Sequence, residues 1–191
     1  MLIPYIQNAL LFTIHTIFSF YITSVLFRFM LQLVRADFNS PLARFIVKLT
    51  NPLLIPLRKV IAGYLKIDLA AIILALLLQI IELYLILLTK GLGIAASAVS
   101  ISGLCIWSFG ELIDLTLAFL FFAILIQVVY SWMQPGHYHP SIMLLQKITN
   151  PLFTPIRKAL PEVGMIDFSP IVAIFLISLS RMLIADPIVA Y

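Results

Sequence analysis

The sequence predicts an all-α integral membrane protein with four transmembrane helices, arranged as two parallel two-helix repeats that each carry an amphipathic interfacial helical segment. The first observation behind this prediction is composition. Of 191 residues, 63% are hydrophobic and 10% are charged, whereas about a quarter of a soluble domain is charged. The second is an internal duplication: the segment 41–68 returns 99 residues later with eleven of its 28 positions identical, where chance would give about two.

Four apolar stretches are the candidate membrane-spanning helices: 10–34, 69–88, 112–134 and, with the least length to spare, 168–185. Each can cross a hydrocarbon core of about 30 Å as a helix. Two crossings per copy return the chain to its starting side. The two repeats are therefore expected to run parallel, in contrast to the inverted repeats of many transporters.

The chain divides into a first repeat at 1–90, a connecting loop at 91–111 and a second repeat at 112–191. Part of this loop, residues 92–109, is moderately apolar and offers an alternative, a fifth crossing that would invert the second repeat. Its serine, glycine and alanine content favours a surface loop or a short re-entrant piece.

Nine of the twelve basic residues cluster around the two copies of the duplicated segment: Arg35, Arg44, Lys48, Arg58, Lys59, Lys66, Lys147, Arg157 and Lys158. Lysine and arginine accumulate in the short cytoplasmic loops of membrane proteins. This asymmetry predicts that both copies lie in the cytoplasm and that both termini lie outside. No basic region precedes the first apolar run, so we expect no cleaved signal peptide.

The start of each copy is expected to lie at the membrane surface. Ser40-Pro41 is a favourable helix opening, with a hydroxyl cap followed by proline at the first helical position. The residues that follow place apolar side chains on one face and Arg44 and Lys48 on the other, and Lys147 repeats one of these charges. This is the pattern of an amphipathic interfacial helix.

The duplicated motif consists of twelve residues, six in each copy: Thr50, Asn51, Pro52, Pro56, Arg58 and Lys59, then Thr149, Asn150, Pro151, Pro155, Arg157 and Lys158. The residue before a proline avoids the α region, so the Asn-Pro step is expected to end the interfacial helix. Each asparagine would then cap a new short helix, which the second proline kinks or ends.

The Arg-Lys pair that closes each copy of the motif has two interpretations. It anchors the chain to anionic lipid headgroups, each charge contributing about 1 kcal/mol near the surface, or it forms a docking surface for a cytoplasmic partner or for nucleic acid. Asp68 and Asp167 stand just before the second span of each repeat. As acids at helix starts, they suit the free N–H groups and the helix dipole there.

Three charged side chains are expected inside the membrane. Glu82 and Arg181 occupy equivalent positions in the two repeats, 99 residues apart, and so lie at equal depth. They form either a structural salt bridge between the repeats or part of an ion or proton path. Arg28 is close enough to the cytoplasmic end of its span to snorkel outward. Gln79 and Gln127 are expected to form hydrogen bonds between helices.

The sequence shows no catalytic constellation. His137 and His139 lack the third ligand of a metal site, and Gly91 and Gly93 lack the Lys-Ser/Thr of a phosphate-binding loop. The single Cys105 excludes an intramolecular disulfide. We therefore expect no enzyme activity, no cofactor and no metal, and we identify no small-molecule substrate.

Three stretches then point to a family: Arg35-Ala36-Asp37-Phe38, Thr50-Asn51-Pro52 through Arg58-Lys59, and Ile166-Asp167-Phe168-Ser169-Pro170. Over nearly its whole length the chain resembles the YggT family of bacterial membrane proteins, and it is similar to their relatives in the YlmG group, cyanobacteria and plastids. The resemblance implies a cytoplasmic (inner) membrane protein without established catalytic residues. It also implies links to osmotic tolerance and ion uptake, to cell-division gene neighbourhoods, and to assembly of membrane complexes.

Three functional hypotheses follow. The first is a non-enzymatic scaffold or assembly factor with a role in envelope and osmotic-stress tolerance, which docks a membrane-protein partner. The second is an ion channel or carrier for cation uptake. It requires a homo-oligomer, because four helices enclose little volume once side chains fill the bundle. The third is a lipid-organising protein that senses anionic headgroups. The shortage of intramembrane polar residues favours the first.

Overall fold

The computed structural model describes residues 2–36, 38, 40–61, 68–90, 101–133, 139–159 and 167–185. This part of the chain is helical, with no strands. Its elements are α1 (Leu2–Leu33), α2 (Pro41–Val60), α3 (Leu69–Thr89), α4 (Ile101–Met133), α5 (Pro140–Ala159) and α6 (Ser169–Ser180), which continues as a π-helical turn (Arg181–Ala185). The all-α prediction is confirmed.

Among the described residues, three helices are long and apolar enough to cross a membrane. They are α1 over Pro4–Leu33, α3 over Leu69–Thr89 and α4 over Ser102–Met133. The fourth candidate is the apolar helix Ser169–Leu183, which is shorter. Its described length is about 22 Å at about 1.5 Å per residue, less than the hydrocarbon core of about 30 Å. Helix length thus supports three of the four predicted spans.

The predicted connecting loop 91–111 is wrong in its second half. Helix α4 begins at Ile101, so residues 101–111 form its first three turns, and 91–100 lie outside the described residues. The serines and glycines that favoured a loop are tolerated because α4 packs against α3. Leu83 and Leu87 of α3 contact Leu104 and Trp107 of α4.

The helix directions follow from the contacts. Near the two ends of α1 and α3, Gln7 donates a hydrogen bond to the carbonyl of Thr89 and Leu26 shares a core cluster with Ala70. Helix α1 is therefore antiparallel to α3. Helix α3 is in turn antiparallel to α4, since its later residues meet the start of α4. Helices α1 and α4 consequently run in the same direction, as an even number of crossings requires.

Both interfacial helices run unbroken through their prolines, so the predicted break at the Asn-Pro step is wrong. Helix α2 contains Pro52 and Pro56, and α5 contains Pro151 and Pro155. All four prolines are exposed, and the two in each helix are four residues apart. The carbonyls that lose a donor therefore lie along the outer face of the helix, where water can bind them. The predicted cap at Ser40 is confirmed, because its hydroxyl accepts a hydrogen bond from the Ala43 N–H at 3.1 Å.

The turn between α1 and α2 directs the interfacial helix back across the end of the bundle. Arg35 adopts a left-handed conformation with φ 49°. The N–H of Ala36 donates to the carbonyl of Leu31 at 2.8 Å, and the N–H of Arg35 donates to that of Gln32 at 3.1 Å. This pair of hydrogen bonds is the Schellman termination, usually made with glycine.

Each repeat has its own core, built from equivalent positions. Val25, Leu54 and Leu74 bring together α1, α2 and α3. Ile124, Phe153 and Ala173, each 99 residues later, bring together α4, α5 and α6. A third cluster joins the repeats through α1, α2, α4 and α5. The interfacial helices are thus packed against their own spans and against each other's repeat.

Candidate functional site

Polar side chains form contacts at three levels of each repeat. One lies between the first span and the interfacial helix, one between the interfacial helix and the second span, and one between the two spans near their middles. Nearly every residue that makes one of these contacts in the first repeat aligns with a contacting residue 99 positions later in the second repeat.

At the first level, Arg28 of α1 holds the motif of α2. Its Nη1 donates to Thr50 Oγ1 at 2.7 Å and to Asn51 Oδ1 at 2.8 Å, and it reaches the carbonyl of Val47 at 3.3 Å. Arg28 is 7% exposed and Thr50 is fully buried. The expectation that Arg28 snorkels outward is therefore wrong, because the motif supplies acceptors within the protein. Asn51, expected to cap a helix, instead accepts from this guanidinium.

The second repeat makes the same contact without a charge. Gln127 stands where the first repeat has Arg28, and its Nε2 donates to Thr149 Oγ1 at 3.1 Å. Thr149 is fully buried and donates to the carbonyl of Leu145 at 3.0 Å. Asn150 is exposed within α5 and starts no helix. The predicted interhelical hydrogen bond of Gln127 is confirmed, and its partner is the motif threonine.

At the second level, an ion pair links the end of each interfacial helix to the start of the next span. Arg58 Nη2 contacts Asp68 Oδ2, and Asp68 Oδ1 accepts from the Ala71 N–H at 3.3 Å. The predicted role of Asp68 at the start of α3 is confirmed. Arg58, considered for lipid or partner binding, is occupied by its own repeat.

The equivalent pair in the second repeat is more exposed. Arg157 contacts Asp167 Oδ2 through Nη2 at 2.8 Å and Nε at 3.2 Å. The side chains are 54% and 47% exposed, against 37% and 4% for Arg58 and Asp68. Partial burial acts to raise the pKa of Asp167, but hydrogen bonds from Ser169 and the charge of Arg157 outweigh it and lower the pKa. The second basic residue of each pair, Lys59 or Lys158, faces outward.

At the third level, each repeat pairs its two spans. His15 Nδ1 lies 2.8 Å from Glu82 Oε1. Arg181 donates to Asp114 through Nε at 2.7 Å and Nη2 at 2.9 Å. The proposed salt bridge between Glu82 and Arg181 is therefore wrong, because the antiparallel spans of one repeat bring a nearer partner to each residue.

These two pairs, which we name the mid-span pairs, occupy the same two positions with opposite polarity. His15 corresponds to Asp114, and Glu82 corresponds to Arg181, at the common offset of 99 residues. Sequence reasoning missed both first-span partners. The signal was the offset itself, which aligns a polar residue of α1 with a polar residue of α4.

More polar groups lie beside Glu82. Gln79 Nε2 donates to Glu82 Oε2 at 3.1 Å, so the prediction that Gln79 bonds between helices is wrong, because a carboxylate one turn along α3 accepts from it. Glu82 is 1% exposed. Glu111, one turn before Asp114 on α4, interacts electrostatically with Glu82, Asp114 and His15. Within the described ranges, no three of the His, Cys, Asp and Glu side chains are placed to hold a metal ion.

The outer face of α2 carries a shallow groove. Its volume is about 620 Å³. The residues that line it are Phe38, Arg44, Val47, Lys48, Asn51, Pro52, Ile55 and Pro56. Two cations therefore stand beside a largely apolar surface, on the side of α2 opposite its buried residues.

Of the two histidines considered as metal ligands, His137 lies outside the described residues. His139 accepts a hydrogen bond from the Ser141 N–H at 3.3 Å through Nδ1, and its ring lies 6.3 Å from that of Tyr130. His139 therefore stabilises the start of α5.

Comparison with known proteins matches both repeats. A sequence model of the CCB3/YggT family matches residues 7–89 and again 106–188. An uncharacterised protein of Pseudomonas aeruginosa is 43% identical over 185 residues, covering 97% of this chain and 92% of the relative. The uncharacterised protein YggT of Escherichia coli K12 is 34% identical over 94% of this chain and 91% of its own. An uncharacterised protein encoded in the proC 3′ region of Vibrio alginolyticus is 33% identical over 94% and 95%. No solved structure matches the chain.

Proposed function

This chain belongs to the CCB3/YggT family, and we propose that it is a non-enzymatic scaffold or assembly factor of the bacterial cytoplasmic membrane, with a role in envelope and osmotic-stress tolerance. The observation that carries the proposal is the pairing of the two interfacial helices. Helices α2 and α5 contact each other, and each is fixed to its own spans by buried polar contacts. The chain thereby presents one continuous surface rather than two separate loops.

We name this surface the paired helix face and define it by these exposed residues: Arg44, Lys48, Ile55 and Pro56 of α2, and Lys147, Thr154 and Pro155 of α5. Its basic residues suit an acidic partner segment or anionic lipid headgroups. The contacts beneath it, Arg28 to Thr50 and Gln127 to Thr149, hold it in place before a partner arrives. Such preorganisation lowers the entropic cost of binding.

The orientation of this surface is part of the proposal. Four crossings, with both termini outside, would place the paired helix face in the cytoplasm. The basic asymmetry of the sequence and the common direction of α1 and α4 support it. The short helix Ser169–Leu183 then crosses with local bilayer thinning.

The test separates a docked partner from general attraction to lipid. In a strain that lacks its own copy, Lys48→Glu with Lys147→Glu reverses two charges at equivalent exposed positions. The matched control, Lys59→Glu with Lys158→Glu, makes the same change in net charge at the ends of the same helices. We expect the first variant to reduce growth recovery after hyperosmotic shock at least tenfold and the control to retain most of it. Equal loss in both variants would favour lipid attraction, and wild-type recovery of the first would contradict the scaffold.

A second function, an oligomeric ion channel or carrier, is favoured by the mid-span pairs. Polar side chains at the middle of membrane helices are costly unless they serve a role. Ion flux into liposomes holding the purified chain tests this function, with Glu82→Gln as the comparison. An absence of flux in wild-type liposomes would exclude it.

A further inference from the structure

A largely buried polar cluster lies between α3 and α4, beside the mid-span pairs. We name it the α3–α4 cluster and define it as Gln79, Glu82, Ser108 and Glu111. The antiparallel packing of the two helices places these residues at one level, because Leu83 faces Trp107 on one side and Leu74 shares a core with Leu112 on the other. Gln79 is 4% exposed, Glu82 1% and Ser108 0%.

Among the described residues, the cluster and its ionisable neighbours hold three carboxyl groups and two basic side chains. The ionisable groups that face it are His15 from α1, Asp114 from α4 and Arg181 from the turn after α6. Arg181 is bound by both carboxylate oxygens of Asp114, and His15 is bound by Glu82. Glu111 is the remaining acid, and in the described part of the chain no hydrogen bond or ion pair reaches its carboxyl group.

Among the ionisable neighbours of Glu111, acids outnumber bases. Its electrostatic neighbours are Glu82, Asp114 and His15, two of which are themselves acids. Two carboxylates that share a site of low dielectric repel each other, and one of them then binds a proton. Along α3, Glu82 lies about 20 Å from the first residue of the helix, inside a hydrocarbon core of about 30 Å, where such repulsion is weakly screened.

The hydrogen bonding of the cluster independently indicates a bound proton. Gln79 donates through Nε2 to Glu82, so its side chain is directed into the cluster, yet its Oε1 is buried without a hydrogen-bond partner. The hydroxyl of Ser108 is also buried without a partner. Buried acceptors are nearly always satisfied. A carboxyl O–H supplies a donor for Gln79 Oε1.

We propose that the α3–α4 cluster is a proton-binding site, in which Glu82 and Glu111 together hold one exchangeable proton at neutral pH. The proton moves between water and a carboxylate oxygen, and no other bond changes. The side chain of His15 is 59% exposed while its Nδ1 contacts Glu82, so the buried carboxyl group has a titratable partner on the outer surface of the bundle. The site requires neither the scaffold nor the carrier function.

Infrared difference spectra of the full chain in lipid nanodiscs, recorded as the pH is raised, test the site. We expect a protonated-carboxyl band that is present near neutral pH and disappears as the pH rises. Glu111→Gln is expected to remove at least nine-tenths of it, because the variant leaves a single carboxyl group in the cluster. Asp167→Asn, which alters a carboxyl group outside the spans, is the control and should leave the band unchanged.

Two results would overturn the proposal: no titrating carboxyl band in the wild-type chain, or an unchanged band in folded Glu111→Gln. If that variant does not fold, Glu111→Asp keeps the acid on a shorter side chain. The band should then persist with a displaced midpoint, and an undisplaced midpoint would also overturn the site. Carbodiimide, which adds to protonated carboxyl groups in apolar surroundings, should label Glu82 or Glu111 and spare the ion-paired Asp114.

Discussion

Single residues at equivalent positions of the two repeats perform the same task with different chemistry. A guanidinium at Arg28 and an amide at Gln127 both hold a motif threonine. In the mid-span pairs the acid and the base have also exchanged positions. The base lies on α1 and the acid on α3 in the first repeat, whereas in the second repeat the acid lies on α4 and the base follows α6. What the fold requires at these positions is a hydrogen-bonded pair between antiparallel spans, and either polarity satisfies it.

The reversed polarity leads to a charge-swap prediction in the second repeat. Arg181→Glu places a second carboxyl group against Asp114, and we expect a loss of stability on the order of 2 kcal/mol for this partly exposed pair. Adding Asp114→His recreates the His15–Glu82 arrangement and should restore most of the loss. Thermal unfolding in detergent measures both, and Arg181→Gln, which removes charge without repulsion, is the milder control. A double variant no more stable than Arg181→Glu would show that the repeats do not share this geometry.

The two ion pairs behind the interfacial helices differ in burial, and this difference should be measurable. Asp68→Asn is expected to cost about 1–2 kcal/mol, because it leaves Arg58 beside a buried, neutral partner. Asp167→Asn should cost less than about 1 kcal/mol, because both side chains of that pair are largely exposed. Asparagine retains an acceptor at the helix start, so the comparison isolates the charge.

Salt and pH provide the controls for this second prediction. Added salt should reduce the cost of Asp167→Asn more than that of Asp68→Asn, because exposed pairs are screened more strongly. The pKa of Asp167 is lowered in the folded chain. Its contribution is therefore complete above the unfolded value of about 3.9 and is lost as the pH falls through the lower folded value. Equal costs in the two repeats would contradict the burial that separates them.

At the scale of the helices, the duplication predicted more than composition did. The repeated residues alone identify the motif, the helix opening at Pro41 and the acid at Asp68. The same duplication led to an error at Glu82 and Arg181, because equal depth was taken for contact. Which residues touch depends on tertiary packing, and a single sequence does not specify the distances between side chains.

The interfacial helices are continuous, although the residues next to their prolines predict a break. An Asn-Pro step ordinarily ends a helix, and the second proline only strengthens that expectation. Spacing the prolines by four residues puts both missing N–H groups on the exposed face, where the unpaired carbonyls meet water. The buried face keeps its hydrogen bonds, and the threonine before each Asn-Pro step packs there at 0% exposure.

The anchoring of α2 by Arg28 gives a prediction at this scale. Arg28→Gln copies the second repeat and should change stability by less than about 1 kcal/mol. Arg28→Met keeps the volume but leaves Thr50 and Asn51 without their donor, and we expect a loss of about 1–3 kcal/mol. Increased proteolysis or hydrogen exchange within α2, but not within α5, should accompany the larger loss. If the two variants are equally stable, the guanidinium contacts do not hold the interfacial helix.

For the whole molecule, orientation in the membrane connects the fold to every proposed role. The described helices fix relative directions: α1 and α4 run one way and α3 the other. Equivalent residues of α2 and α5 should therefore reach the same side of the membrane. The apolar stretches of the sequence predict an even number of crossings. They do not predict how early α4 begins, and the first turns of that helix bring the polar residues Ser108 and Glu111 into the bundle.

Cysteine labelling tests this orientation with the chain in intact cells. Cys105 is exposed and is first replaced by serine, after which Lys48→Cys and Lys147→Cys introduce thiols at equivalent exposed positions of the paired helix face. We expect an impermeant maleimide to label neither in intact cells and both after permeabilisation, because Lys and Arg-rich segments stay in the cytoplasm. Tyr5→Cys, at a side chain 72% exposed near the other end of α1, should be labelled in intact cells and serves as the control. Labelling of positions 48 and 147 from opposite sides would require an odd number of crossings between them, which the antiparallel contact of α3 with α4 does not allow.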